Sequence, residues 1–129
     1  MALSVDDRLA ILELAARYNQ AIDGADAEGW AGTFTPDGVF EGRTTARGRE
    51  ELMAFVRERA ASERAHYRHW NSNAVIEGDG DRATMRLYLL TVSPQEQDRF
   101  GSSGVYHDEL VRVGGQWKFQ RRRVQFDQA

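Results

Sequence analysis

Residues 104–126 read GVYHDELVRVGGQWKFQRRRVQF, two runs rich in aromatic and β-branched residues on either side of Gly114-Gly115. Adjacent glycines supply the positive φ angles that a tight two-residue hairpin turn demands. Counting outward from them pairs Val113 with Gln116 and Asp108 with Arg121. The second strand then poses a conflict. Trp117 and Phe119 fall on odd positions, Val124 and Phe126 on even ones, and a regular strand cannot bury both pairs on one face. A β-bulge within Gln120–Arg123 resolves the parity and turns one of the three arginines inward, with Tyr106 or Asp108 as its company. The alternative is a solvated basic edge that discourages strand addition.

Upstream, Tyr67–Glu77 and Arg82–Val92 flank a GDGD turn at 78–81 and read as another hairpin, with a polar loop, SPQEQDRFGSS, at 93–103. Before His66 the period is helical. SVDDRLAILELAARYNQAID at 4–23 offers Ser4 as N-cap, Asp6 and Asp7 in the first turn, and Gly24 as a stop. Its apolar residues are Leu9, Leu12 and Ala16 and, displaced along the stripe, Ile11, Leu14, Tyr18 and Ile22. A short second helix around Ala27–Thr33 buries Trp30 and Phe34, FTPDGVFEG at 34–42 combines a turn with a strand, and 48–63 forms a third helix with Leu52, Phe55 and Val56 inward. Helices followed by consecutive antiparallel strands predict an α+β domain with its helices on one sheet face.

A chain of 129 residues is one domain, 1–129, large enough to fold without staples. Having no cysteine excludes disulfides, thiolate ligands and a cysteine nucleophile. With 17 basic and 20 acidic residues spread along the chain, and RRR at 121–123 the only basic cluster, no nucleic-acid partner is expected. No apolar run approaches the ~18 residues of a membrane span, and Met1–Asp7 lacks a signal-peptide pattern, so no membrane partner and a cytoplasmic location are expected. Phosphate-binding glycine loops and a GxSxG elbow are missing. The three histidines stand in no ligand array, so no metal site is expected.

HYRHWNSN at 66–73 concentrates polar groups in a strand. By alternation His69, Asn71, Asn73 and Val75 share one face, and Trp70, Ser72, Ala74 and Ile76 the other. That polar face is either solvated or lines a polar cavity. Asp23 closes the first helix, where the dipole disfavours a carboxylate. It is either a turn residue of DGAD or an acid placed to receive a partner from the sheet, and beside a histidine it would fix the tautomer and support general-base chemistry. Tyr18, on the buried stripe, needs a hydrogen-bond partner.

The succession of YNQAIDGAD, WAGTFTPDGVFEG, GREEL, HWNSN and YHDELVRVGGQWKFQRRRV resembles the SnoaL-like branch of the nuclear-transport-factor-2-like superfamily, over about Asp6 to Phe126. The resemblance implies a cone-shaped barrel, a curved, mostly antiparallel sheet wrapped around three helices and enclosing an apolar pocket. Dehydratases of this branch use an Asp–His dyad without metal or cofactor. The likeness puts Asp23 and His69 in those positions, Tyr18 near the leaving group or carbonyl, and Arg122 (or Arg121 or Arg123) in the pocket. It implies a lyase or isomerase for a small, mostly apolar cyclic compound, aromatic or polycyclic. Asn71, Asn73, Tyr106, Asp108, Trp30 and Phe34 would contact that compound. In the ketosteroid-isomerase-like alternative Glu41 is the base, and in a further one the fold is a non-catalytic subunit. A homodimer or homotrimer is expected.

Overall fold

A computed structural model describes residues 1–96 and 99–127, so the expected polar loop at 93–103 lies in part, at Gln97 and Asp98, outside the described residues. Helix α1 spans Val5–Asp23 and opens with a reciprocal capping box: the Ser4 hydroxyl accepts from the Asp7 backbone N–H, and the Asp7 carboxylate accepts from that of Ser4. The stripe it buries is Ile11, Leu14, Ala15, Tyr18 and Ile22, which advances at the helical period. Leu9 and Leu12, expected inward, are exposed, because Leu12 lies about a quarter-turn off that stripe and Leu9 nearly opposite it. A short α2, Ala27–Ala31, is capped by Asp26 and drives Trp30 into the core, and α3, Gly48–Ala60, buries Leu52 and Val56.

Six strands form one curved, unclosed sheet in the order β2-β1-β6-β5-β4-β3. They are β1 (Phe34–Glu41), β2 (Thr45–Arg47), β3 (Arg68–Asp79), β4 (Arg82–Val92), β5 (Phe100–Val113) and β6 (Gln116–Phe126). A 3-10 turn at Glu63–His66 joins α3 to β3. Every pairing is antiparallel except β1 with β6, which is parallel. That contact satisfies the backbone groups of β6 on the side away from its hairpin partner. β5 starts at Phe100, so the polar loop is shorter than expected. Together these elements make the α+β cone, with its core between the helices and the concave sheet face.

Two bulges set which side chains enter that core. In the last hairpin Gly114 and Gly115 both hold positive φ, at 57° and 80°, as a mirror-image turn requires. The ladder runs in register to Leu110↔Phe119, then slips to Glu109↔Arg121, leaving Gln120 as the extra residue. Trp117 and Phe119 before the slip and Arg122 and Val124 after it therefore face the same way, and Asp108 meets Arg122 in place of Arg121. In β3 the ladder slips between Ser72 and Val75, with Asn73 in the left-handed region at φ 59°. Ile76 thereby joins the side of His69, while Asn73 and Val75 turn out to solvent. The single-face grouping of His69, Asn71, Asn73 and Val75 is corrected by that extra residue. Trp70, Val75 and Tyr88 stand exposed on the outer face. No helix among the described residues is long and apolar enough to cross a membrane.

Candidate active site

Asp23 is the last residue of α1 and His69 the second of β3, 46 positions apart in sequence. The His69 ring Nδ1 lies 2.7 Å from Asp23 Oδ1, and the backbone N–H of His69 donates to Asp23 Oδ2 at 3.1 Å. The carboxylate thus holds both the strand and the ring. With Asp23 as acceptor, Nδ1 carries the proton and Nε2 keeps its lone pair. Burial lowers the imidazole pKa from its ordinary value, with Arg59 and Arg122 pushing the same way, while the hydrogen bond and charge of Asp23 oppose them. The ring is neutral at neutral pH, the protonation state of a base.

Tyr18 on α1 and Tyr106 on β5 stand beside it. Their rings meet edge to face with centroids 5.9 Å apart, and the Tyr18 ring meets that of His69 at 6.5 Å. Burial raises both phenol pKa values; for Tyr18, Arg122 and the Tyr106 hydroxyl pull back, and for Tyr106 the neighbouring Tyr18 adds to the rise. Both are neutral O–H donors at neutral pH. Behind them lies Arg122, fully buried. Its Nε and Nη2 donate to the two oxygens of Asp108 at 2.8 and 3.1 Å, and its Cζ sits 3.5 Å from the Tyr106 ring centroid, 4.3 Å from Tyr18 and 4.4 Å from Phe119. Burial works against the guanidinium's charge, but Asp108 and the two phenols outweigh it and hold its pKa above the ordinary value.

His69, Tyr18 and Tyr106 share the wall of a cavity of about 1140 Å³ that is open to solvent. Phe40, Phe55 and Leu89 supply apolar surface. The volume accommodates a compound of several fused rings. Arg59, from the last turn of α3, also lines it, although its stretch of helix reads as an outward run of charges. The signal was spacing: Leu52, Val56 and Arg59 stand at i, i+4 and i+7, on the buried stripe.

Other expected contacts are corrected by the geometry. Arg122 and Asp108 lie behind the tyrosines and are not part of the cavity wall. Trp30 and Phe34 form a second layer, Trp30 stacked on Phe55 at 5.3 Å and Phe34 packed on Phe119 at 5.5 Å, so a ligand would meet Phe55 and not the indole. Asn71 accepts from Asn19 Nδ2 at 2.7 Å and donates to the Tyr88 carbonyl, tying α1 to the sheet away from the cavity. Asn73 is at the solvent-facing bulge. Glu41 leaves the inward position to Phe40, and its carboxylate accepts from Arg121 Nε at 2.6 Å. Arg121 holds that carboxyl below its usual pKa, and Glu41 does not line the cavity. Among the described residues no group of three or more His, Cys, Asp or Glu side chains is arranged to hold a metal.

The model of the SnoaL-like domain matches residues 3–123. Among solved structures, a protein of unknown function with a cystatin-like fold from Nostoc punctiforme is 33% identical, with a TM-score of 0.94 over 100% of this chain and 97% of that one. ActVI-ORFA from Streptomyces coelicolor is 28% identical, TM-score 0.84, covering 98% of each chain. A candidate scytalone dehydratase from Novosphingobium aromaticivorans is 26% identical, TM-score 0.81, over 95% of this chain and 85% of that one. No match arises among curated proteins. A family match that runs from before the first helix into the last strand, with structural likeness along the whole length, makes this chain a member of the SnoaL-like family in the nuclear-transport-factor-2-like superfamily.

Proposed function

We propose that the protein is a lyase or isomerase that removes a carbon-bound proton from a small cyclic, mostly apolar substrate. The observation that carries this reading is the 2.7 Å bond between His69 Nδ1 and Asp23, at the wall of a cavity that two neutral phenols also line. His69 Nε2 takes the proton from a carbon next to a carbonyl or bearing a leaving group on its neighbour. Asp23 stabilises the imidazolium that forms. The electron pair of the broken C–H bond moves either onto the carbonyl oxygen, giving an enolate, or into a new double bond as the leaving group departs with its own pair. Tyr18 and Tyr106 donate hydrogen bonds to the oxygen that gains charge. The Asp108–Arg122 pair holds both rings in place from behind, through the cation–π contacts of its guanidinium. The likeness to a candidate scytalone dehydratase supports elimination over isomerisation.

The step can be tested before the natural substrate is known. Ring ketones such as 2-tetralone exchange their α-protons for deuterium through the enolate, and NMR in D₂O follows the rate. Wild-type protein accelerates the exchange and His69→Ala does not. Equal acceleration by both proteins removes His69 as the base.

A further inference from the structure

Arg59 has no place in that mechanism, yet it is built into the site. Its Nη1 donates to the Ile22 carbonyl at 3.2 Å and its Nη2 to the Tyr67 carbonyl at 3.0 Å. Those acceptors belong to the end of α1 and the lead-in to β3, the two segments that carry Asp23 and His69. The fork is therefore fixed relative to the base. Two of five N–H groups are committed to carbonyls, and among the described residues no carboxylate stands within ion-pairing distance of Arg59. Asp23 spends its oxygens on His69. Arg122, the other inward arginine, is paired with Asp108 through Nε and Nη2, and its Nη1 is buried without a hydrogen-bond partner. Arg59 is half-buried; burial lowers its pKa, while the charge of Asp23, beyond ion-pairing distance, pulls the other way.

Three more arginines line the wall, Arg43, Arg64 and Arg99, together with three glutamates. Arg43 lines the cavity near its mouth, held by a 2.9 Å bond to Ser102 Oγ and a stack on Phe126 at 4.2 Å, and Arg64 is close enough to press on its charge. The glutamates are Glu58, Glu63 and Glu96, all at exposed positions, and Glu96 is paired with Arg99 at 3.0 Å.

We infer that the ligand is an acid: a fused-ring compound bearing one carboxylate, sulfonate or ionised phenol, with its charged group on Arg59 and its rings along Tyr18 and Tyr106. This names the substrate class of the site proposed above and rests on the same cavity. The carboxylate or its equivalent takes the free N–H groups of the fork as charge-assisted hydrogen bonds, which orients the rings relative to His69.

A matched pair of fluorescent probes tests it. 8-Anilinonaphthalene-1-sulfonate and N-phenyl-1-naphthylamine differ only by the sulfonate. Wild-type protein should bind the anionic probe about tenfold more tightly, or better, as expected for a hydrogen bond to a charged group. Arg59→Gln should abolish that preference while the neutral probe binds as before, and Arg59→Lys should keep part of it. Four results overturn the inference: equal binding of both probes by wild type, loss of both probes by one factor in Arg59→Gln and Arg59→Lys alike, an unchanged preference in Arg59→Gln, or a preference that Arg43→Gln abolishes and Arg59→Gln does not. The two readings fail separately, because proton exchange of ring ketones reports on His69 and the sulfonate preference on Arg59.

Discussion

Two aspartates in this protein each hold a nitrogen base, and the two pairs behave differently. Asp108 meets Arg122 through two bonds with both side chains wholly out of solvent, while Asp23 meets His69 through one ring bond at a cavity wall where both stay partly accessible. A guanidinium cannot release its proton at any ordinary pH, so the base of the buried pair keeps its charge and serves as a fixed support, while burial raises the carboxyl pKa of Asp108. An imidazole can change state, and the cavity gives its second nitrogen access to a substrate. Chemistry is placed at the adjustable pair and rigidity at the permanent one.

The largest contrast should come from breaking each pair by one residue. His69→Ala is expected to lower turnover by about 10²–10⁴-fold, the range for a general base, with an unfolding midpoint near wild type. Asp108→Ala should do the reverse at the level of the fold. It leaves a buried unpaired guanidinium and costs about 3–5 kcal/mol in urea unfolding. Replacing both members, Asp108→Leu with Arg122→Met, should recover most of that stability, since a packed apolar pair needs no counter-charge. If the double variant is as unstable as Asp108→Ala, the aromatic stack on Arg122 contributes more than the ion pair does.

The buried pair was the more legible of the two in sequence. Trp117, Phe119, Val124 and Phe126 are large enough to expose a parity conflict, and the glycine turn anchors the count, so a bulge within Gln120–Arg123 is one of the two readings the residues themselves offer. The bulge in β3 leaves no such trace. The residues around Asn73 and Ala74 are polar or small, and one apolar residue on each side of the slip cannot announce a change of face. The meeting of Asp23 with His69 depends on where α1 crosses the sheet, which neither local spacing nor propensity encodes; only the family likeness pointed there. The parallel contact of β1 with β6 was illegible for the same reason, and Arg59 was masked by the charged residues that surround it on α3.

A smaller effect separates the pairs by pH. Because the folded pKa of His69 lies below its ordinary 6.5, the unfolded chain binds this proton more readily than the folded one. The contribution of the neutral ring to stability is then complete above about pH 6.5 and is lost as pH falls toward the folded value. Wild type should therefore lose more stability between pH 7.5 and 5 than His69→Gln does. Asp23→Asn removes the carboxylate that opposes the shift, so the His69 pKa should fall further in an NMR titration. An unchanged pKa in that variant would mean that the 2.7 Å contact carries no coupling.

The smallest stability effect expected is the most discriminating one. Tyr106→Phe keeps the ring that lies 3.5 Å from Arg122 Cζ and removes only the hydroxyl. If the ring serves the permanent pair and the hydroxyl serves the adjustable one, the unfolding free energy should change by no more than about 1 kcal/mol. Tyr106→Leu, which removes the stack, should cost more. Turnover should fall in both, because the donor to the developing oxyanion is gone from each. A Tyr106→Phe protein with wild-type turnover would leave Tyr18 as the donor and confine Tyr106 to the support of Arg122. The boundary between the chemical and the structural half of the site would then run between the two tyrosines and not through each of them.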